Sequence, residues 1–450
     1  MTSREYAQPG KYLVYLGLAV VFVIAFGLRL DVINNTVIDG PIRADAFEYY
    51  NYALNMKTHG VFSPQHLSAS VPVPDAGRPP VYPLFLVPLV EYPPTAQMLW
   101  KINFFQILLG SLSVLLAFAV FRYFLPGVWS LCAALLVSIS PHLISASTFV
   151  LTETLFTFLL LLSIWLTIRL FVSGNAGVAI LAGMVIAGCA LTRSTLQYFV
   201  FIVCMLLVYQ MGWRVAARLA IPLVLGFALV TGPWILRNYL STGHTSDPSL
   251  LINTLHHGSY PDLMYDDIPA TKGFAYRFDP ESPELSKNIG SVLSGISRRV
   301  KEDPGKYLQW YLFGKPVMLF AWNIMDDVRK SVFIFPVSES PYLSEPLFMW
   351  MYSLMKSIHW VLVVLAFVAS IYVFTGAASK RISREALLAL RLLSALLFYF
   401  LFLHMIGAPY PRYSIPLRPF IYGLALFMLS HLFSRCAPVF SGHSNDDRTR

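Results

Sequence analysis

The sequence predicts an all-α protein that crosses a membrane many times. Of its residues 56% are hydrophobic, 15% aromatic and only 13% charged, and the few charges are placed so that long apolar intervals remain between them. Crossing a hydrocarbon core of ~30 Å takes ~20 mostly apolar residues. Ten intervals free of Lys, Arg, Asp and Glu approach or exceed that length: 12–28, 102–121, 123–152, 154–168, 170–192, 194–213, 219–236, 357–379, 392–411 and 419–434. The fourth is short, so Arg169 is expected to snorkel while the helix continues through Phe171 and Val172. Stretches 316–325 and 331–338 are too short to span and read as interfacial or re-entrant. The number of transmembrane helices expected is therefore about ten, within 10–13.

With ten spans both termini lie on one side, and the side with more Lys and Arg in its short segments is predicted to be cytoplasmic. The segments before Tyr12, around Arg122, around Arg169, at 214–218, at 380–391 and after Ser434 carry thirteen Lys or Arg against four acids. This side is taken as cytoplasmic in an inner (plasma) membrane. The chain then forms a single transmembrane domain, 1–450, with two long extracytoplasmic loops, 29–101 and 237–356. The net charge of +9 largely reflects this topology, and no nucleic-acid motif accompanies it. Cys132, Cys189 and Cys204 fall in spans and Cys436 in the tail, so neither outer loop can build a disulfide scaffold. The first apolar segment lacks a small-x-small cleavage site and reads as a retained helix.

Within the first loop, Ala46, Tyr49, Tyr50, Ala53, Leu54 and Lys57 recur at helical spacing, predicting a helix from Asp45 to Thr58 on the membrane surface. Nine prolines between Pro64 and Pro94 exclude a continuous helix there. In the second loop, Ser282-Pro283-Glu284 reads as a helix start and the apolar spacing from Leu285 to Val300 predicts an amphipathic helix from Pro283 to Asp303. Asp303-Pro304 starts another, and the aromatic stretch from Tyr307 to Trp322 suits lipid headgroups.

Few residues in these loops invite chemistry, and each has a plain alternative. Asp45, with Glu48 three residues on, has the spacing of a helix cap, and spacing alone favours that role. Glu153 stands at the edge of an apolar run, where a carboxylate is costly unless it faces a partner or cavity, although a first-turn Glu is also favoured by the helix dipole. Arg78 precedes two prolines that restrict its backbone. Arg237 and Arg412 sit at span ends, where snorkelling is the default.

Several motifs together resemble the GT-C membrane glycosyltransferases, in particular the protein O-mannosyltransferase and lipid A aminoarabinose transferase-like families. They are Asp45 with Tyr49 and Tyr52 followed by Gly60-Val-Phe-Ser63, then Gly77-Arg-Pro-Pro-Val-Tyr-Pro-Leu-Phe85 and Leu151-Thr-Glu-Thr-Leu-Phe156. Gly188-Cys-Ala-Leu-Thr-Arg193, Pro233-Trp-Ile-Leu-Arg-Asn-Tyr239 and Pro411-Arg-Tyr-Ser-Ile-Pro416 follow in order. The resemblance implies a GT-C fold, a polyprenyl-phosphate-linked sugar donor and an active site on the extracytoplasmic face. The acceptor would be a glycolipid, polysaccharide or protein of the cell envelope.

It also implies roles: Asp45 as the general base, and Arg78, Arg237, Arg412 and Tyr413 at the donor phosphate. Glu153, His256 and His257 are expected at the donor or at a divalent metal (Mg, Mn or Zn), and Tyr49 and Tyr82 in the substrate pocket. Ala46 stands where relatives often carry a second acid, so protein O-mannosylation is not favoured over other acceptors. A transporter or flippase of lipid-linked sugars is the alternative, expected to show repeated halves, broken helices or midplane charges. A non-catalytic assembly protein is a third reading. Only the enzyme requires Asp45, Arg78 and Glu153 around one site.

Overall fold

Apolar sequence wins its first contest at the helix ends. The computed structural model describes residues 9–67, 71–324 and 332–436. The charged extreme termini used in the topology argument, the side chain of Cys436, and Met325 and Ser331 at the ends of the two short apolar stretches lie outside the described residues. The helices are α1 (Pro9–Asn34), α2 (Asp45–His59), α3 (Val81–Leu86), α4 (Ala96–Phe121), α5 (Gly127–Ile139), α6 (Pro141–Ser145), α7 (Glu153–Ser173), α8 (Ala176–Ala190), α9 (Phe199–Met211) and α10 (Trp213–Thr242). The second loop holds α11 (Ser249–Gly258), α12 (Ser282–Leu285), α13 (Ile289–Glu302), α14 (Pro304–Gln309), α15 (Lys315–Leu319) and α16 (Pro341–Ser344). After it come α17 (Pro346–Tyr372), α18 (Gly376–Arg381), α19 (Arg384–Ile406) and α20 (Arg418–Cys436). Strands β1 (Val37–Ile38) and β2 (Val337–Glu339) pair antiparallel and tie the start of the first loop to the end of the second.

Among the described residues, eight helices are long and apolar enough to cross a membrane, or nine when a bent pair counts as one span. Each predicted interval corresponds to a helix or to that pair, and the differences have local causes. The interval 123–152 is not straight: α5 and the following Pro141–Thr148 meet at 51°, because Pro141 has no N–H to continue the ladder. The interval 170–192 yields only the fifteen residues of α8, ~22 Å of rise against a ~30 Å core. Gly174 ends α7 in the left-handed region (φ 61°), and the Asn175 side chain then caps α8 by accepting from the Gly177 and Val178 amides. The extension of α7 through Phe171 and Val172 is present. Conversely α17 starts eleven residues before the interval that predicted it, since a single Lys356 with an apolar stem does not interrupt a helix.

The loops differ more. Helix α2 forms as predicted and closes on Gly60 (φ 67°), but Ala46, Tyr49, Tyr50, Ala53 and Leu54 are buried, so it is an interior element under the proline-rich segment rather than a surface helix. The predicted helix 283–303 is two: α12 ends at Leu285, and Asn288 accepts from the Ser291 amide to cap α13. Asp303 caps α14 through the Lys306 amide, as expected. The segment after α15 is inserted into the bundle rather than laid on it. His142 Nε2 meets the Trp322 carbonyl at 2.7 Å, His359 Nε2 the Phe320 carbonyl at 2.7 Å, and Ser145 donates to the Val332 carbonyl. Backbone groups at that depth need such partners.

Helices α8 and α10 cross with their backbones in contact. A Cβ on Gly183 would stand 2.0 Å from the Leu223 carbonyl oxygen, and one on Gly226 2.1 Å from that of Ile180. Small residues permit this approach between apolar helices. Gly183→Ala is therefore expected to force the pair apart and cost ~1–3 kcal/mol, read as a lowered melting temperature in detergent. An unchanged melting temperature would show that the crossing is not under strain.

Candidate functional site

Helix ends converge where the two long loops begin and finish. The backbone at Ala44 has a positive φ of 47°, a conformation that costs ~1–3 kcal/mol outside glycine, and it delivers Asp45 as the first residue of α2. Ala44, not Asp45, is the N-cap, so the cap reading that spacing favours is not the one the fold adopts. Its carboxylate instead accepts from two guanidinium groups: Arg78 Nη2 at 2.9 Å on Oδ1, and Arg412 on Oδ2. Arg78 also binds Glu48 through Nε at 2.6 Å, and lies 5.7 Å from the centre of the Tyr49 ring. The Pro79-Pro80 turn that follows leads into α3, and the Val81 amide donates to the Leu191 carbonyl at the end of α8.

Glu153 opens α7 and is 1% exposed. Its Oε1 accepts from Arg193 at 3.2 Å and lies 3.8 Å from Arg412 Nε. Among the described residues its Oε2 finds no hydrogen-bond partner, a state that costs ~1–3 kcal/mol in a structure with nothing to gain from it. Arg193 stacks over Tyr413 at 4.9 Å, and Arg412 faces the same ring at 5.6 Å. Arg412 thus joins Asp45 to Glu153, and the fold brings Asp45, Arg78 and Glu153 together through their arginine contacts.

Three arginines and three acids therefore interleave at one end of the bundle. Burial would raise the Asp45 carboxyl, but Arg412 and Arg78 outweigh it and hold the group well below the usual carboxylate range. Burial pushes the Tyr49 phenol up to about 12, so it stays protonated at neutral pH. Arg412 is placed by the second loop. Lys315, fully buried, donates to the Met405, Ile406 and Gly407 carbonyls at the end of α19, and Gly258 packs so closely that a Cβ would meet the Gly407 oxygen at 2.3 Å.

Not every expected residue joins the cluster. Arg237 is spent on the first loop, donating to the Asp75 carbonyl at 2.5 Å and the Phe62 carbonyl at 3.4 Å between the Phe62 and Trp234 rings. Losing bonds from a charged donor costs ~1.5–3 kcal/mol. Arg237→Met is accordingly expected to raise the rate of limited proteolysis within 62–77 by about tenfold or more, and an unchanged cleavage pattern would return Arg237 to the donor-binding candidates. Tyr82 is fully buried, edge-on to Tyr49 at 5.1 Å and bonded to Gln106 at 3.2 Å, one layer behind the charged groups.

His256 and His257 lie in a separate small core. His256 bonds Tyr260 at 2.9 Å, Tyr260 donates to Asp279 at 2.5 Å, Asp279 pairs with Arg299, and His257 stacks on Tyr276 at 3.8 Å. Burial lowers both imidazoles. Among the described residues no group of three or more His, Cys, Asp or Glu is placed to hold a metal. Glu153, His256 and His257, expected at the donor or at a metal, are not brought together: Glu153 lies among the arginines and the two histidines in this second cluster.

Two members of the cluster, Arg193 and Glu48, escaped the residue-level assignment. Arg193 follows an apolar interval and Glu153 opens the preceding one, and successive spans run in opposite directions. The start of one and the end of the next therefore share a face, a signal available from the topology alone.

The family model described as dolichyl-phosphate-mannose-protein mannosyltransferase matches residues 17–246, a stretch that includes Asp45, Glu48, Arg78, Glu153 and Arg193. No curated protein matches the sequence. In fold the chain is similar to AglB, the archaeal oligosaccharyltransferase of Archaeoglobus fulgidus, in complex with an inhibitory peptide and a dolichol-phosphate. That match has a TM-score of 0.52 and 14% identity over 95% of this chain and 51% of the other. The apo form of the Archaeoglobus fulgidus enzyme matches with a TM-score of 0.53 and 13% identity over 94% and 51%. ArnT from Cupriavidus metallidurans bound to undecaprenyl phosphate matches with a TM-score of 0.40 and 13% identity over 89% and 78%. The chain spans about half the length of the archaeal enzymes.

Proposed function

The chain belongs to the dolichyl-phosphate-mannose-protein mannosyltransferase family of GT-C membrane proteins, and from that premise we propose that it transfers a sugar from a polyprenyl-phosphate donor to an envelope acceptor, with Asp45 as general base. The observation that carries the reading is the meeting of Asp45 and Glu153 on one arginine, Arg412, with Arg78 and Arg193 beside them. We take this end as extracytoplasmic, a reading that the charge bias of the short segments supports.

In the reaction an acceptor hydroxyl attacks the anomeric carbon. The new C–O bond forms as the bond from that carbon to the phosphate oxygen breaks, with inversion, and the electron pair leaves on the lipid phosphate. The hydroxyl proton passes to Asp45. Arg412, Arg78 and Arg193 meet the charge that develops on the phosphate, where fixed cations in a partly dry site are most effective. Tyr413 orients Arg193 and Arg412, and the unpartnered Oε2 of Glu153 accepts from a donor hydroxyl.

While both arginines hold it, Asp45 is a weak base. An arriving phosphate competes for Arg412 and Arg78, and as they turn to it the carboxylate regains basicity. Donor binding thereby prepares the base.

The test is to give membranes carrying the protein a panel of polyprenyl-phosphate sugars and envelope lipids, glycans and proteins, following donor and glycoconjugates by mass spectrometry. Loss of one donor with matching gain of a glycoconjugate is expected. Movement of intact donor across the bilayer without chemical change would establish the transporter instead. The bend between α5 and α6 is the feature that transporter would share, but the interleaved charges lie at helix ends, not at the midplane.

A further inference from the structure

Where α1, α4 and the first turn of α7 meet lies a small cavity that the transfer chemistry does not use. Arg29 of α1, Gly110 and Ser113 of α4, and Thr154 and Thr157 of α7 line it. About 10 Å³ of it is open to the centre of a water-sized sphere, so one small occupant fits. Arg29 is 1% exposed. Its Nη1 donates to the Ala25 carbonyl at 2.9 Å and the Ser138 carbonyl at 3.3 Å, and among the described residues no carboxylate pairs with it or acts on it. The titratable group it feels is Tyr342, whose buried phenol stays protonated. Among the described residues, Arg29 Nε and the buried Thr154 hydroxyl have no hydrogen-bond partner. Ser113 and Thr157 give their hydroxyl protons to the Leu109 and Glu153 carbonyls, so Arg29 Nε and Thr154 Oγ1 are the side-chain donors left for an occupant. The N-cap of α7, Thr152, makes no side-chain cap, and the acid of its first turn, Glu153, is engaged by Arg193 and Arg412. The positive end of that helix therefore also faces this region.

We propose that this cavity binds a single monovalent anion of chloride size, held by Arg29 Nε, the Thr154 hydroxyl and the N-terminus of α7. A guanidinium keeps its proton at any ordinary pH, and a lone charge in a protein interior is costly without a counter-charge. A water would accept the two hydrogen bonds but bring no charge, whereas a halide supplies both. Gly110 makes the room: a Cβ there would stand 3.0 Å from Arg29 Nε and 3.6 Å from the Thr154 methyl. Phosphate, sulfate and lipid head groups are too large for the space, so this site is separate from the arginines assigned to the donor phosphate. The anion would pin α1 to α7 beside Glu153, and the folded protein would be stabilised by chloride. None of this depends on the transfer reading.

The test is equilibrium binding of radiolabelled chloride to the full chain in phosphatidylcholine nanodiscs, with gluconate holding the ionic strength constant. Chloride carried through desalting and released on denaturation is counted with it. One saturable site per chain is expected, displaced by bromide and not by polyprenyl phosphate, and the melting temperature should rise with chloride over the same range. Thr154→Val nearly keeps the side-chain shape but removes the donor, and should weaken binding about tenfold. Arg29→Gln, which removes the charge, should abolish it. Absence of a saturable site in the wild type would give the cavity to water and overturn the proposal. Wild-type affinity in Thr154→Val would place the bound chloride elsewhere and overturn it equally. Because Thr154→Val alters neither charge nor shape, it decides the matter even where Arg29→Gln fails to fold.

Discussion

Asp45→Asn is expected to lower turnover by ~10²–10⁴-fold, the usual contribution of a positioned general base, while donor affinity changes little. The amide keeps the shape of the carboxylate and an acceptor for one arginine, so the protein should still reach the membrane folded. Its pH behaviour separates the base from a merely structural acid. The native carboxyl is held below its unfolded value of ~3.9, so Asp45 contributes stability above that pH, and the contribution is lost as pH falls through the depressed folded value. Wild type should therefore lose more stability than Asp45→Asn when taken from neutral to strongly acid pH.

Kinetics report a different quantity. The acid limb of kcat/KM follows the free enzyme and that of kcat the donor complex, so departure of Arg412 toward the phosphate should place the kcat limb at higher pH. Coincident limbs would mean that Asp45 keeps its arginines throughout and is not the base. Near wild-type turnover in Asp45→Asn would leave it a structural partner of Arg412 and nothing more.

Arg412→Gln should have the second large effect, because it changes both chemistry and stability. Arg412 reaches Asp45 and Glu153 together, and Glu153, at 1% exposure, would be left with Arg193 as its only cation. Breaking a buried ion pair from one side costs ~3–5 kcal/mol, seen as a fall in melting temperature, and loss of one fixed donor to a developing oxyanion costs ~10²–10³-fold in kcat. The two effects can be separated. Adding Glu153→Gln removes the orphaned charge and should restore most of the stability, whereas turnover should remain low. Recovery of both would show that Arg412 only neutralises Glu153. Arg412→Lys should recover little, since an ammonium cannot present the planar fork that spans two carboxylates.

Hydropathy placed the spans because a helix in lipid is a local solution: each backbone group bonds within its own segment, and ~20 apolar residues suffice. It could not see where the segments break. The bend at Pro141 and the shortening of α8 depend on single residues inside apolar runs, and the early start of α17 depends on a lysine that the interval rule treats as an end. Sequence alone could likewise single out Asp45, Arg78, Glu153 and Arg412, because a charge beside a long apolar run is conspicuous and the motif order resembles a known family.

What those charges do was decided only by tertiary structure. Asp45 and Arg412 are 367 residues apart, and nothing in the spacing of either distinguishes an ion pair from a cap and a snorkelling arginine. Arg237 and Arg412 look alike in sequence, each at a span end, yet one braces a loop and the other joins two acids. Local sequence determines which segments are helical and where charge is affordable. Which charges meet is set by how the helix ends gather, an outcome of packing among Gly183, Gly226, Gly258 and Lys315 that no single segment encodes.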